Sequence, residues 1–151
     1  MTAAKKEMKV PAIQKGTVID HIPPHAAARV LDILDLGDEL VTFGNNLSSR
    51  KMKKKGIIKV SDKMLRKDEL DRIALVAPEA TLCEIKDYKV IKKRKVQMPD
   101  VFAGMLRCFN PNCITRHQDM KTMFTLVQKD PVRLKCHYCE STFDKDQLEL
   151  L

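Results

Sequence analysis

The chain has 151 residues, of which 44% are hydrophobic and 32% charged, and its net charge is +8 at pH 7. This composition is typical of a globular protein with one medium domain or two small ones, and the positive charge favours an anionic partner. Without an apolar run of about 18 residues or the apolar core of a secretory signal, the sequence predicts a cytoplasmic protein with reduced thiols and no membrane span.

The first two thirds of the chain alternate between segments with strand and helix periodicity. In the second helical segment, acidic residues lie in the first turn, where the helix dipole favours them, and Pro78 ends the helix. The predicted order is two short strands within 10–24, a helix at 25–37, strands at 39–47 and 56–62, a helix at 66–80, and a long strand or hairpin at 81–96.

This order predicts an α+β fold, in which an antiparallel sheet carries two helices on one face in a ferredoxin-like, two-layer arrangement. The pattern breaks around Pro99 and Gly104, which we interpret as a linker. Short strand-like segments separated by turns follow, and they predict a small all-β domain. We therefore expect an N-terminal domain at 1–98 and a C-terminal domain at 99–151.

Four cysteines of the C-terminal segment form two close pairs. Zinc prefers four tetrahedral ligands, and an all-thiolate site is structural because no position is left for water. A segment of about 50 residues buries too little surface to be stable alone, and a structural zinc adds on the order of 10 kcal/mol. The spacing therefore predicts one structural Zn²⁺ bound by Cys108, Cys113, Cys136 and Cys139.

Other interpretations of these residues stay open at the level of sequence. Four unrelated thiols would also give this composition, and His117 or His137 could replace a thiolate, although both suit a surface position better. Cys83 has no close cysteine partner. It fits a small buried hydrophobic residue better than a nucleophile.

Positive charge is concentrated at 50–59 and 92–95. A solvated loop explains any single lysine, whereas the functional interpretation is that several lysines converge on a triphosphate. The sequence has neither a Walker motif nor G-x-G-x-x-G, so strand-edge backbone groups and lysines would have to hold the phosphates. Asp20 and His21 are adjacent on a predicted strand, so we expect them to point to opposite faces. Asp20 is then a candidate acceptor for a ribose hydroxyl.

A basic protein with a zinc domain also fits a nucleic-acid-binding ribbon, which is the alternative function. An enzyme is disfavoured because the sequence offers no open metal position, no nucleophile with a nearby base and no phosphate loop. The C-terminal segment mixes both signs of charge, which favours protein docking over specific nucleic-acid binding. The basic residues are Arg107, Arg116, Lys121, Arg133 and Lys135, and the acidic ones are Asp119, Asp130, Glu140, Asp144, Asp146 and Glu149.

The strings GTVIDHIP, IIKV and APEATLCEIKDYKVIKK, together with the 4–22–2 cysteine spacing, resemble the regulatory chain of aspartate carbamoyltransferase over nearly the whole length. The resemblance implies a non-catalytic subunit in the control of pyrimidine biosynthesis. It implies an N-terminal allosteric domain that binds ATP, CTP or UTP and a C-terminal zinc domain that docks on the catalytic chain. It also implies regulatory dimers, three of which bridge two catalytic trimers.

The resemblance further implies a nucleotide site in the N-terminal domain, with two departures from the family pattern. Cys83 stands where asparagine is expected in that site, and Pro11 stands where glutamate is common. The implied roles are base contacts, largely through backbone groups, for Val10, Ala12 and Ile13, and ribose and base contacts for Asp20 and Lys59. His21 is implied to lie close to the phosphates, and Lys93 to contact them. Ile85, Tyr88 and Val90 are implied to wall or hydrogen-bond the base and sugar, and Lys55 to lie near a second nucleotide.

Overall fold

A computed structural model describes residues 12–151 of the chain. They belong to two compact units that divide between Gln97 and Met98. Among the described residues, no helix has the length and apolar character needed to cross a bilayer.

The first unit is an antiparallel sheet with two helices. The elements are β1 (Lys15–Ile22), α1 (Ala27–Ile33), β2 (Val41–Ser49), β3 (Lys53–Ser61), α2 (Lys67–Val76), β4 (Thr81–Lys86) and β5 (Lys89–Lys95). The strand order is β2-β3-β1-β4-β5, so the first four strands have the order of a ferredoxin-like sheet and β5 extends one edge. The predicted α+β fold of this unit is therefore confirmed.

Three local predictions for this unit differ from the structure. The first predicted strand falls partly outside the described residues, and the described residues 12–14 are not in a strand. Helix α1 ends at Ile33 because Leu34 adopts an extended conformation and is buried. Strands β2 and β3 continue through the predicted loop, where their pairing extends to Ser49 and Lys53.

The main core lies between the sheet and the helices. Ile19, Ile58 and Val60 of the sheet are fully buried, as are Val30 of α1 and Ile73 of α2. Burial of each of these side chains contributes roughly 1.5–3 kcal/mol to folding. This apolar layer fixes which face of the sheet is covered by the helices.

Glu69, at the start of α2, is a buried carboxylate with a complete set of partners. It accepts hydrogen bonds from the backbone N–H groups of Asp35, at 2.9 Å, and Arg66, at 3.0 Å. The ammonium group of Lys63 lies 3.4 Å away. A buried charge is tolerated only when it is paired, and these partners meet that condition. Because they come from the loop after α1 and from the start of α2, Glu69 joins these two segments.

The second unit is a small all-β structure, as predicted. Phe102, Leu106, Phe124 and Leu134 are fully buried at its centre. Its strands are β6 (Val101–Ala103), β7 (Leu106–Arg107), β8 (Met123–Lys129), β9 (Val132–Cys136), β10 (Thr142–Asp144) and β11 (Glu149–Leu150). They form one sheet ordered β10-β9-β8-β6 and a β11-β7 pair.

The predicted linker around Pro99 and Gly104 includes residues that belong to the second unit. Within it, β6 pairs with β8 through Phe102 and Phe124. The proline and glycine that suggested a linker flank this three-residue strand instead of marking an irregular segment.

Gly16 in β1 is the glycine whose replacement we expect to be most damaging. Its φ of 139° is rare for other residues, and a Cβ atom would overlap the carbonyl oxygen of Val60 on β3. Gly16→Ala should therefore lower the free energy of unfolding by about 1–3 kcal/mol or more, measured by urea denaturation. Gly37→Ala is the control, because a Cβ there meets the flexible Glu39 side chain. Equal stability of the two variants would contradict this account of β1.

Candidate functional site

The four cysteines of the second unit converge on one point. Their Sγ atoms all lie within 4.8 Å of one another. The Sγ–Sγ distance is 3.7 Å between Cys108 and Cys139 and 3.8 Å between Cys113 and Cys136. A tetrahedron of thiolates 2.3 Å from zinc has edges of about 3.8 Å. The cluster therefore has the size that one zinc ion requires.

Two tight turns direct these side chains inward. In the first, the N–H of Cys113 donates to the carbonyl of Asn110 at 3.0 Å. In the second, the N–H of Glu140 donates to the carbonyl of Cys136 at 2.9 Å, and Glu140 has a left-handed φ of 61°. Each pair of cysteines is thus held by its own turn, as the spacing of the sequence indicates.

The chemistry of the cluster suits a structural metal. All four thiols are free of disulfides. Burial raises the pKa of Cys108 and of Cys136. Burial also acts to raise the pKa of Cys139, but hydrogen bonds from Ser141 and other neighbours outweigh it and lower the pKa to about 6. A bound cation would compensate the cost of buried thiolates, and four sulfur donors leave no position for substrate.

Neither histidine of this unit is part of the group. The Nε2 atom of His117 lies 2.8 Å from the carbonyl oxygen of Pro111. The ring of His137 packs edge-on against Tyr138, with ring centroids 5.2 Å apart. The structure thus brings together the four cysteines and neither alternative ligand.

The first unit contains a cavity of about 340 Å³ on the face of the sheet opposite the helices. Its floor is a small apolar cluster that includes Ile13, Val18, Ile57 and Cys83. Strands β1, β3, β4 and β5 and the segment before β1 contribute to its walls. The lining residues are Ala12, Ile13, Val18, Asp20, Ile57, Lys59, Cys83, Ile85, Tyr88, Val90 and Lys93.

Most residues of the implied nucleotide site therefore lie in one cavity. Lys55 and His21 are outside the lining but both contact Asp20, and Val10 is outside the described residues. Val18 and Ile57 were not predicted. The alternation of side chains along a strand could have predicted both residues, because Val18 lies on the same face of β1 as Asp20, and Ile57 lies on the same face of β3 as Lys59.

Asp20 is held in place by two hydrogen-bond donors. The ammonium group of Lys55 lies 2.8 Å from its Oδ1 atom, and the backbone N–H of His21 donates to the same oxygen at 2.6 Å. Burial acts to raise the pKa of Asp20, but these two donors outweigh it and lower the pKa. Asp20 is therefore an ionised carboxylate whose orientation is fixed at the edge of the cavity.

The prediction that Asp20 and His21 point to opposite faces is wrong. The pairing of β1 with β3 shifts register between Ile19 and Ile22, and His21 has a left-handed φ of 56°. The Nδ1 atom of His21 lies 3.1 Å from the Oγ1 atom of Thr81, which by alternation along β4 is on the cavity face. The bulge thus brings both side chains to one side of the sheet.

Three lysines, from β3, β5 and the turn between β2 and β3, act electrostatically on His21 beside Asp20. Burial is the main cause of a lowered pKa for His21, and Asp20 opposes it. The positive charges of Lys55, Lys51 and Lys93 lower the pKa of His21 further. The cavity therefore has apolar walls, one fixed carboxylate and a strongly positive end.

Comparison with known proteins agrees with this division into two units. Residues 8–97 match the model of the aspartate carbamoyltransferase regulatory chain, allosteric domain. Residues 100–149 match the model of the aspartate carbamoyltransferase regulatory chain, metal binding domain. The chain belongs to the aspartate carbamoyltransferase regulatory chain family.

Curated members of this family match over almost their full length. The chain is 46% identical over 146 residues to the aspartate carbamoyltransferase regulatory chain of Pyrococcus abyssi, covering 94% of this chain and 96% of that one. It is also 46% identical over 149 residues to that of Porphyromonas gingivalis, with 97% and 99% coverage. Membership makes it a non-catalytic regulatory chain with an allosteric domain and a metal-binding domain, whose cysteine cluster suits one structural zinc.

Loss of one buried ligand should release this metal. We expect Cys136→Ser to reduce bound zinc from one ion per chain to well below one and to lower the melting temperature of the second unit, because that unit depends on the metal for stability. The measurements are the zinc content of the dialysed protein and its thermal unfolding curve. Cys83→Ser removes a thiol of the first unit and should keep one zinc. A Cys136→Ser chain with full zinc content would show that the ligand set is wrong.

Proposed function

We propose that this chain binds nucleoside triphosphates in the cavity of its first unit and thereby regulates a catalytic chain of aspartate carbamoyltransferase. The observation that carries the proposal is the combination of apolar walls, a fixed carboxylate and converging lysines in the unit that matches an allosteric domain. The expected effectors are ATP, CTP and UTP.

Each part of a nucleotide has a suitable chemical environment in this cavity. The apolar side chains of Ile13, Ile85 and Val90 line the cavity and suit a base. Asp20 uses Oδ1 for Lys55 and His21, so its second oxygen suits a ribose hydroxyl.

The phosphates are expected at the positive end of the cavity. Lys93 on β5 lines the cavity, while Lys55 and Lys51 extend the positive charge beyond it. An ammonium group acts as a point charge toward phosphate and requires no specific loop. This arrangement explains how the chain would bind a triphosphate without a Walker motif.

The second unit is proposed to dock on the catalytic chain. Phe109 and Ile114, each directly after a cysteine of the cluster, are 53% and 46% exposed, and Tyr138 is 39% exposed. Large apolar side chains held by a rigid turn are typical anchors of protein interfaces. Zinc would therefore act indirectly, by fixing the turns that carry these side chains.

The remaining assembly follows the family pattern. We propose that regulatory chains pair as dimers, and that three dimers bridge two catalytic trimers in the control of pyrimidine biosynthesis. A cytoplasmic location is proposed because reduced thiolates are stable there. An effector can shift activity only by the difference between its affinities for the quaternary states.

Removal of one phosphate contact should weaken all triphosphates alike. We expect Lys93→Ala to reduce the affinities for CTP and ATP together by roughly tenfold or more, because a hydrogen bond to a charged group is worth about 1.5–3 kcal/mol. Calorimetric titration of the full chain is the measurement. Lys92→Ala is the matched control, since Lys92 is the neighbouring lysine on β5 and lies 4.0 Å from Glu84 instead of lining the cavity.

Unchanged affinity of Lys93→Ala for both nucleotides would overturn the phosphate assignment.

The alternative function, nucleic-acid binding, predicts tight oligonucleotide binding with a steep dependence on salt. The regulatory function predicts only weak, non-specific binding of oligonucleotides.

A further inference from the structure

The two turns that carry the cysteine cluster share a pattern of hydrogen-bond donors. The first cysteine of each turn accepts a hydrogen bond from the backbone N–H group two residues later. Asn110 donates to Cys108 in this way, and Tyr138 donates to Cys136. Any residue other than proline supplies such a donor, so these two thiolates are held by the shape of the turns.

The second cysteine of each turn is followed, two residues later, by a hydroxyl side chain. The two sequences read CIT and CES. The Oγ1 atom of Thr115 lies 3.1 Å from the Sγ atom of Cys113. The hydroxyl of Ser141 is likewise hydrogen-bonded to the sulfur of Cys139. The same offset on both turns therefore places a side-chain hydroxyl at the second ligand of each pair.

The hydroxyl groups must be the donors in these contacts when zinc is bound. A thiol and a hydroxyl can each donate to the other, but a zinc-bound thiolate has no proton to give. Hydrogen bonds to an ionised acceptor are roughly twice as strong as those between neutral groups. Four thiolates also carry more negative charge than one Zn²⁺ neutralises, so each donor to sulfur stabilises the ionised ligands.

We propose that Thr115 and Ser141 are positioning residues of the metal centre, whose hydroxyl groups orient the thiolates of Cys113 and Cys139 and strengthen the binding of zinc. Groups that hydrogen-bond to metal ligands fix the orientation of those ligands, and their loss typically weakens binding of the metal. The proposal goes beyond the four ligands and does not depend on the nucleotide function.

Ser141 acts on the most accessible ligand of the cluster. Three of the four cysteines are buried, whereas Cys139 is partly exposed, so water and chelators reach its sulfur most easily. The side-chain amide of Asn110 donates to this sulfur as well. The carbonyl of Ser141 accepts a hydrogen bond from the N–H of Cys136 at 2.9 Å, which fixes its backbone beside both ligands of the pair.

Thr115→Val removes a hydroxyl and keeps the shape of the side chain. We expect the affinity of the full chain for Zn²⁺ to fall by roughly 10–100-fold, the usual effect of losing a donor to a metal ligand. The measurement is competition for Zn²⁺ with the coloured chelator pyridylazoresorcinol. Thr142→Val is the matched control, because Thr142 is an exposed threonine on β10 of the same unit. It should bind Zn²⁺ as wild type does.

Thr115→Ser separates the role of the hydroxyl from that of the methyl group. This variant keeps the donor, so its affinity for Zn²⁺ should match that of wild type. If Thr115→Val fails to bind zinc or to fold, normal binding by Thr115→Ser supports the proposal. Equal losses in both variants, or unchanged affinity of Thr115→Val, would overturn it.

Co²⁺ bound in place of zinc gives a readout that a purely structural role would not move. Its thiolate-to-metal charge-transfer band lies at higher energy when the sulfur accepts a hydrogen bond, because the bond stabilises the sulfur electrons. The band should shift to longer wavelength in Thr115→Val and in Ser141→Ala, and it should stay in place in Thr115→Ser and Thr142→Val. A band that does not move in Thr115→Val or in Ser141→Ala would overturn the role of that hydroxyl.

Discussion

The five-stranded sheet of the first unit presents alternate side chains to two faces, and in the described residues both helices pack on the same face. Ile19, Ile58 and Val60 are buried beneath the helices, and Val18, Ile57 and Cys83 face the other way. Because both helices cover one face of the sheet, the cavity lies on the other face. The bulge in β1 then turns His21 onto the same face as Asp20, so that a carboxylate, a histidine and several lysines meet beside an apolar floor.

The second unit depends on a metal site because its hydrophobic core is small. Its core consists of a few aromatic and aliphatic side chains such as Phe102 and Phe124, which is little for a segment of this size. Four cysteines on two turns supply what the core lacks, because a metal ion joins chain segments distant in sequence. The turns that hold the metal also carry Phe109 and Ile114 at the surface. Stability and recognition would therefore depend on the same bonds.

Sequence reasoning was most successful where a local spacing determines a local geometry. The two cysteine pairs predicted a metal cluster because each pair occupies one tight turn. The two helices followed from periodicity. The segment at 81–96 was predicted as a long strand or a hairpin, and it is the hairpin of β4 and β5. The nucleotide residues came from family resemblance. The bulge at His21 could not be predicted, since simple alternation assumes a regular strand. Ile57 was missed although it alternates with Lys59, and β6 was hidden between residues that usually mark a linker.

The central claim is that the face of the sheet opposite the helices is the effector site. The most direct test is an NMR titration of the isotopically labelled full chain with CTP, in which amide shifts are followed residue by residue. The account predicts saturable changes concentrated in β1, β3, β4 and β5 around Asp20, Lys59 and Lys93, with little change in α1 and α2. Changes confined to the helices or to the second unit, or none at saturating CTP, would contradict it.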